Sequence, residues 1–215
     1  TNTKKAYQNI ISKFERQEID ILVGTQMVTK GLDFKKLSLV AVMNADRLLH
    51  FPDFRAEEKC FQLLTQVAGR SGRSDLRGKV LIQTYQPKHK LFHQVIQGDF
   101  KAFYQEQMQQ RKEFHYPPYH KLIEIRLQST DFNRLNEAAD WLATYLRQGF
   151  KTQVLGPEFP SVARVKNKYR KQILVKVYQD QSLKHAKDLI KRSVKKFDQI
   201  APYRSIGLAV NVDPF

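Results

Sequence analysis

The sequence has few cysteines, few acidic residues and no long apolar run, and each shortage excludes a class of protein. Cys60 is the only cysteine in 215 residues, which excludes a disulfide framework and a cysteine zinc site and favours a reducing compartment. No run approaches the roughly 18 apolar residues of a membrane span, and the opening TNTKKAYQNI lacks the apolar core of a targeting signal. We therefore expect a cytoplasmic protein without a membrane partner.

Acidic residues are scarce relative to basic ones. The chain has 37 Lys and Arg against 21 Asp and Glu, which leaves a net charge of +16. Residues 150–215 hold 14 of the basic and 5 of the acidic side chains, so this segment carries +9 of the total. Such a balance favours a polyanionic partner, such as nucleic acid, over an acidic small substrate.

Apolar periodicity predicts an α/β domain over residues 1–112. Helical spacing over residues 4–17 is followed by the apolar run DILVGT at 20–25, a second run at 37–46, a helix over about 57–68 and the run GKVLIQTY at 78–85. This alternation predicts a largely parallel sheet in which DILVGT is one buried strand. Two short helices then lead away from the sheet.

A different order begins at residue 113 and continues to residue 215. The pattern predicts strand, helix, two strands, helix and strand, which is the βαββαβ order of a ferredoxin-like α+β sandwich. The first of these helices, over about 133–148, presents one apolar face, formed by Leu135, Ala138, Ala139, Leu142 and Leu146.

Two arginines lie between glycines in the segment QLLTQVAGRSGR at 62–73. As an ordinary basic helix end, Arg70 and Arg73 would complement the helix dipole. Gly69 and Gly72, however, each weaken a helix by roughly 1 kcal/mol and let a ligand approach the backbone closely. Because one guanidinium group can donate two hydrogen bonds to the oxygens of a phosphate, the arrangement favours a nucleoside triphosphate.

The loop GTQMVTKGLDF at 24–34 follows a predicted parallel strand, at the edge where open α/β sheets bind ligands. It lacks the lysine of a phosphate-binding P-loop. A binding role and an ordinary structural role explain this loop equally well, since Gly31 could cap a helix and Asp33 could form a turn.

A basic run lies between two predicted strands of the second part. A solvated hairpin is one explanation, because charge runs are commonly plain surface. The other is a basic finger that contacts phosphates and stacks one base, without sequence preference. The run comprises Arg164, Lys166, Lys168, Tyr169, Arg170 and Lys171.

The segments DILVGTQMVTKGLDF and QVAGRSGR resemble motifs V and VI of superfamily 2 helicases. PDFRAEEKCFQLLTQVAGRSGR and the terminal NVDP further resemble the PriA family of primosomal replication-restart helicases, and the likeness covers nearly the whole chain. It implies a second RecA-like helicase lobe over residues 1–112 and a ferredoxin-like DNA-binding domain over residues 113–215.

The resemblance also implies roles for individual residues. Arg70, Arg73 and Gln66 would act on the triphosphate. Nucleotide contacts would come from Gly31, Asp33, Gly69 and Gly72, and DNA contacts from Thr25, Gln26, Lys30 and the basic run.

The family's first lobe has no counterpart in this sequence. No Walker A segment and no D-E-x-H box occurs in it, so we expect these residues alone to be inactive towards ATP. The resemblance implies ATP with Mg²⁺ in the whole protein and zinc in an upstream cysteine-rich region, with no metal in these residues.

For the whole protein, the resemblance implies ATP-dependent 3′–5′ unwinding of stalled or forked DNA and primosome assembly. The partners would be forked and single-stranded DNA, the single-stranded DNA-binding protein and other primosome proteins. The alternative is a non-catalytic nucleic-acid-binding module on a helicase-like scaffold.

Some remaining residues have ordinary explanations. His89 and His93 are spaced for one helix face but lack a third metal ligand. Trp141 and Tyr145 are expected in the core beside the helix that carries them, and Cys60 is expected to be a buried small apolar residue.

Overall fold

The N-terminal part of the chain contains a two-stranded parallel sheet and several helices. The computed structural model describes residues 4–25, 37–69 and 78–214, and the chain divides into two compact units between Tyr104 and Gln105. The elements of the first unit are α1 (Lys4–Glu15), β1 (Leu39–Val42), α2 (Asp46–Leu49), α3 (Ala56–Ala68), β2 (Lys79–Ile82), α4 (Lys90–Gln97) and the start of α5 (Phe100–Glu113). β1 and β2 pair in parallel, which confirms the predicted parallel sheet for these two runs.

A small aromatic core lies on one side of α3. Cys60, Phe61 and Leu64 are buried on this helix at the spacing of one apolar face. Phe61 stacks on Phe103 with ring centroids 4.2 Å apart, and Phe92 packs into the same cluster. The predicted burial of Cys60 is confirmed.

The prediction of a buried strand over residues 20–25 is wrong. These residues have no regular secondary structure, and the side chains of Ile21 and Val23 are 79% and 88% exposed. A strand needs a neighbour that satisfies its N–H and C=O groups. Within residues 4–25, 37–69 and 78–214, no strand pairs with this run, so its apolar composition alone does not make it a strand.

The second unit is built on an antiparallel sheet. Its elements are β3 (Lys121–Ser129), α6 (Phe132–Phe150), β4 (Val154–Glu158), β5 (Arg164–Val165), β6 (Lys168–Val177), α7 (Leu183–Gln199) and β7 (Gly207–Val212). The sheet order is β4-β6-β3-β7, and the short β5 pairs with β6 as a hairpin. Side chains of Asp131 and Ser182 accept hydrogen bonds from backbone N–H groups and so begin α6 and α7.

The core of this unit lies between the sheet and its helices. The five apolar residues predicted for one face of α6 are all buried, which confirms that periodicity, and Ile173 and Phe197 pack in the same cluster. Trp141 packs against this core and stacks on Tyr145 at 5.3 Å between ring centroids, in agreement with the expected packing role. None of the helices in the described parts of the chain is both long and apolar enough to cross a membrane.

Candidate nucleic-acid interface

The segment predicted to contact a nucleotide begins at the end of α3. Gln66 is exposed on the last turn, and the N–H of Gly69 donates to the carbonyl oxygen of Thr65 at 3.0 Å. A Cβ atom at Gly69 would lie 3.5 Å from its nearest neighbour, an ordinary contact. Packing against the described residues therefore does not require glycine there. The other predicted residues of this segment, Arg70, Gly72 and Arg73, lie outside the described residues.

The loop that resembles motif V is described only at its start. Thr25 is exposed and belongs to no helix or strand. The remaining predicted residues of this loop, Gln26, Lys30, Gly31 and Asp33, lie outside the described residues.

A buried carboxylate connects the ends of the two parallel strands. Asp46 lies after β1 and accepts hydrogen bonds from Thr84 Oγ1 at 2.9 Å and from the Tyr85 N–H at 3.0 Å, both beyond β2. Burial acts to raise the pKa of Asp46, but these hydrogen bonds outweigh it and the pKa lies below its usual value. The ionised carboxylate therefore holds together the sheet edge at which α/β proteins bind ligands. The role of Asp46 was not predicted from the sequence, although an acid directly after an apolar strand could have indicated it.

A second acid, half-buried with its side chain 5% exposed, positions the start of α3. Asp53 accepts a hydrogen bond from the Arg55 N–H at 2.9 Å, and its carboxylate pairs with the side chains of Arg55 and Lys59. Burial acts to raise the pKa of Asp53, but the hydrogen bonds from the Lys59 side chain and the Arg55 N–H, together with the charges of both side chains, lower it below its usual value. This arrangement anchors the helix whose other end carries Gln66 and Gly69.

The basic run of the second unit forms the β5–β6 hairpin. Arg164 is paired with Tyr169 and Val165 with Lys168, so Lys166 and Asn167 form a two-residue turn. Both turn residues have positive φ, +46° and +64°, as a type I′ hairpin turn requires. The run lies on a hairpin, as predicted, but only Lys166 is between the strands, because Arg164 belongs to β5 and the residues from Lys168 onward belong to β6.

The structure divides the hairpin cations between the two faces of the sheet. Directly paired residues and alternate residues of a strand share a face, so Arg164, Tyr169 and Lys171 lie on one face. Lys168 and Arg170 lie on the opposite face, and Lys166 is at the tip. Among the described residues, no acidic side chain forms an ion pair with these cations.

Three aromatic rings meet on the face that carries Arg164 and Lys171. The Tyr169 ring is half-buried against the core and meets Phe132 edge to face, with centroids 5.2 Å apart. Phe132 lies parallel to Phe159, with centroids 5.9 Å apart and planes inclined by 6°. Lys171 Nζ lies 4.5 Å from the Phe159 centroid, and Arg164 Cζ lies 4.8 Å from that of Tyr169. We call these five residues the hairpin patch.

Phe132 and Phe159 were not among the residues predicted for binding. The two phenylalanines are far apart in sequence, and neither lies in the basic run. One local feature could have indicated that Phe132 is exposed. It directly follows the helix-capping Asp131, at a position that apolar periodicity did not assign to the core.

Cys60 and His89 have structural roles. Burial raises the pKa of the Cys60 thiol to about 12, so it stays protonated at neutral pH and is a poor metal ligand. His89 caps α4 by accepting a hydrogen bond from the Leu91 N–H at 3.3 Å. Within the described ranges, no group of three or more His, Cys, Asp and Glu side chains could hold a metal ion.

Comparison with known proteins matches both units. Residues 2–75 match the family described as Helicase conserved C-terminal domain, and residues 112–215 match the family described as Primosomal protein N C-terminal domain. The relatives include Replication restart protein PriA of Bacillus subtilis, which is 37% identical over 100% of this chain and 27% of its own length. Replication restart protein PriA of Synechocystis is 39% identical over 100% of this chain and 25% of its own length.

The same protein of Thermotoga maritima is 34% identical over 96% of this chain and 26% of its own length. The chain thus spans about a quarter of the length of these relatives. The first two relatives match the chain from end to end, so the likeness spans both units. The resemblance deduced from the motifs is confirmed, and the chain belongs to the PriA family of replication restart proteins.

Proposed function

We propose that this chain supplies the second RecA-like lobe and the DNA-binding C-terminal domain of an ATP-dependent 3′–5′ DNA helicase. The whole protein would unwind stalled or forked DNA and begin primosome assembly in the cytoplasm. The observation that carries the proposal is the end-to-end match to replication restart proteins, across a helicase-type segment and a basic unit.

The first unit would contribute to ATP hydrolysis with Arg70, Arg73 and Gln66. Gln66 is exposed, and the fit of a Cβ atom at Gly69 is consistent with a glycine kept for a ligand rather than for packing. Arginine side chains delivered to the triphosphate would stabilise the charge that develops in phosphoryl transfer. A first lobe, from outside these residues, would supply the phosphate-binding loop and the Mg²⁺ site.

The second unit would bind the DNA backbone. Its sheet order β4-β6-β3-β7, with a helix after the first and third of its long strands, supports a ferredoxin-like arrangement. The hairpin cations, without acidic partners among the described residues, are suited to phosphate contacts. Thr25, Gln26 and Lys30 would add contacts from the first unit.

The partners of the whole protein would be forked and single-stranded DNA, the single-stranded DNA-binding protein and other primosome proteins. ATP with Mg²⁺ would be its cofactor, and zinc would bind an upstream cysteine-rich region. Cys60 would take no part in that site, because its thiol is buried and protonated.

The proposal is tested by substituting the two arginines in a full-length protein that carries this sequence. Arg73→Ala should lower DNA-stimulated ATP turnover at least about a hundredfold, and Arg70→Ala should act similarly, because both guanidinium groups would meet the triphosphate. DNA affinity should change little. The control is Arg16→Ala, whose side chain is exposed and pairs with Glu18 at 4.0 Å.

Near-wild-type turnover in both variants would contradict the assigned roles. If the unsubstituted full-length protein bound DNA without hydrolysing ATP, the non-catalytic scaffold would be the better explanation. The purified 215-residue chain should show no hydrolysis, with or without DNA; sustained hydrolysis would contradict the requirement for a first lobe.

A further inference from the structure

We propose that Phe132 and Phe159 form a binding site for one unpaired nucleobase of a single-stranded nucleic acid. The proposal deepens the DNA-binding role given above to the hairpin and rests on it. It adds a stacking surface, built by residues outside the basic run, next to cations that contact the neighbouring phosphates.

The two phenylalanines are more exposed than residues of a packed core. The two residues are 44% and 43% exposed, and their rings lie nearly parallel with centroids 5.9 Å apart. Phenylalanine is among the residues most often buried, so two adjacent exposed rings form an apolar patch that favours a ligand. A flat, apolar ring is the chemistry that stacks on such a surface.

The rings are held in position before any ligand arrives. Tyr169, half-buried against the core, supports the Phe132 ring with its edge-to-face contact. The Glu158 carboxylate accepts a hydrogen bond from Gln172 Nε2 at 2.8 Å and so fixes the chain just before Phe159. A site with preset rings loses little side-chain entropy on binding.

The cations of the hairpin patch favour nucleic acid as the ligand. Lys171 and Arg164 contact the aromatic rings, and no acidic side chain among the described residues neutralises them. Aromatic rings interleaved with positive charge are the general means of binding single strands, because every base has a π-face and every nucleotide a phosphate. A duplex keeps its bases stacked inside, so only an unpaired base can reach the patch.

The test compares two labelled oligonucleotides of equal length, one an oligothymidylate and the other an abasic strand with the same phosphates. By fluorescence anisotropy, the full 215-residue chain should bind the strand with bases about tenfold more tightly. Phe132→Leu with Phe159→Leu keeps apolar volume and removes the aromatic faces. This double variant should lose the preference and keep its affinity for the abasic strand.

The matched control is Phe114→Leu, because Phe114 is 56% exposed in the same unit but lies outside the hairpin patch. It should keep the wild-type preference. If the double variant fails to reproduce the thermal unfolding of the wild-type chain, Phe159→Leu alone replaces it and should lower the preference.

The outcomes separate the two proposals. A preference that survives removal of the aromatic faces refutes the stacking site. Equal wild-type binding of both strands also refutes it but leaves the phosphate-binding hairpin intact. If the chain binds neither strand, both proposals fail.

Discussion

Removing the positive charges of the β5–β6 hairpin should flatten the salt dependence of DNA binding. The variant replaces five residues with serine: Arg164, Lys166, Lys168, Arg170 and Lys171. Each phosphate that a cation neutralises releases condensed counterions, so the slope of log K against log salt counts the contacts made. The hairpin's contribution can therefore be read as a difference of slopes.

The structure sets the size of this difference. Arg164 and Lys171 share the patch face, Lys166 is at the tip, and Lys168 and Arg170 point to the opposite face. One docked strand therefore reaches about three cations, which at about 0.9 per contact gives a slope near −2.7 on duplex DNA. A fourfold rise in salt should then weaken hairpin binding about 40-fold.

The assay is a salt titration of fluorescence anisotropy on forked and single-stranded DNA. The five-serine variant should lose about 2.7 from the slope on duplex DNA and somewhat less on single strands, where each contact counts about 0.7. The double variant Arg164→Ser with Lys171→Ser should lose the part of the slope that about two phosphate contacts contribute. Lys168→Ser with Arg170→Ser should leave the slope nearly unchanged.

A charge-matched control separates local contacts from net charge. It replaces five exposed lysines of the first unit with serine: Lys5, Lys13, Lys79, Lys88 and Lys101. Equal flattening by this control would mean that overall charge governs binding. An unchanged slope in the five-serine variant would refute the phosphate-binding hairpin and leave DNA contact to the helicase-type unit, through Thr25 and its loop.

Three further predictions concern stability and reactivity. Gly156→Ala should lower the free energy of unfolding by about 2–4 kcal/mol in urea denaturation, because φ is +88° and the new Cβ would lie 2.8 Å from the Gln172 carbonyl oxygen. Gly98→Ala, which meets no described atom within 4 Å, should lower the free energy of unfolding by less. Equal losses in the two variants would contradict the clash at Gly156. Burial, with the charges of His115 and Lys176, lowers the pKa of His120 in the folded chain. The unfolded chain therefore binds more protons at this histidine, and the free energy of unfolding should fall as the pH drops through about 6.5. His120→Gln should weaken this dependence, and an unchanged dependence in that variant would contradict the effect assigned to His120. Cys60 should resist iodoacetamide at pH 8 in the native chain and react in denaturant, since its thiol pKa is about 12; rapid native labelling would contradict its burial.

Sequence periodicity predicted the elements that carry a complete apolar face. In α6, the spacing of Leu135, Leu142 and their neighbours alone indicated the buried side, because 3.6 residues per turn place them in one stripe. The run at 20–25 has comparable apolar content but no partner strand among the described residues, so Ile21 and Val23 are exposed. Composition marks a side chain as suited to burial, and only a neighbour can bury it.

Candidate residues were predictable to the extent that they are consecutive in sequence. The basic run and the glycine-flanked arginines could be identified from a few adjacent residues. Asp46 needs Thr84 and Tyr85, some forty residues later, to become a fixed carboxylate. Its role could not be predicted, because it depends on the parallel pairing of β1 and β2.

The family, the net charge and the presence of the hairpin could be predicted without coordinates, because motifs, charge and strand periodicity depend only on the order of residues. Which side chains meet became visible only in the folded chain. Folding divided the hairpin cations between two faces and brought Phe132 and Phe159 beside Tyr169. The physical reason is that strand pairing and helix docking connect residues far apart in the chain, and no local pattern specifies the partner.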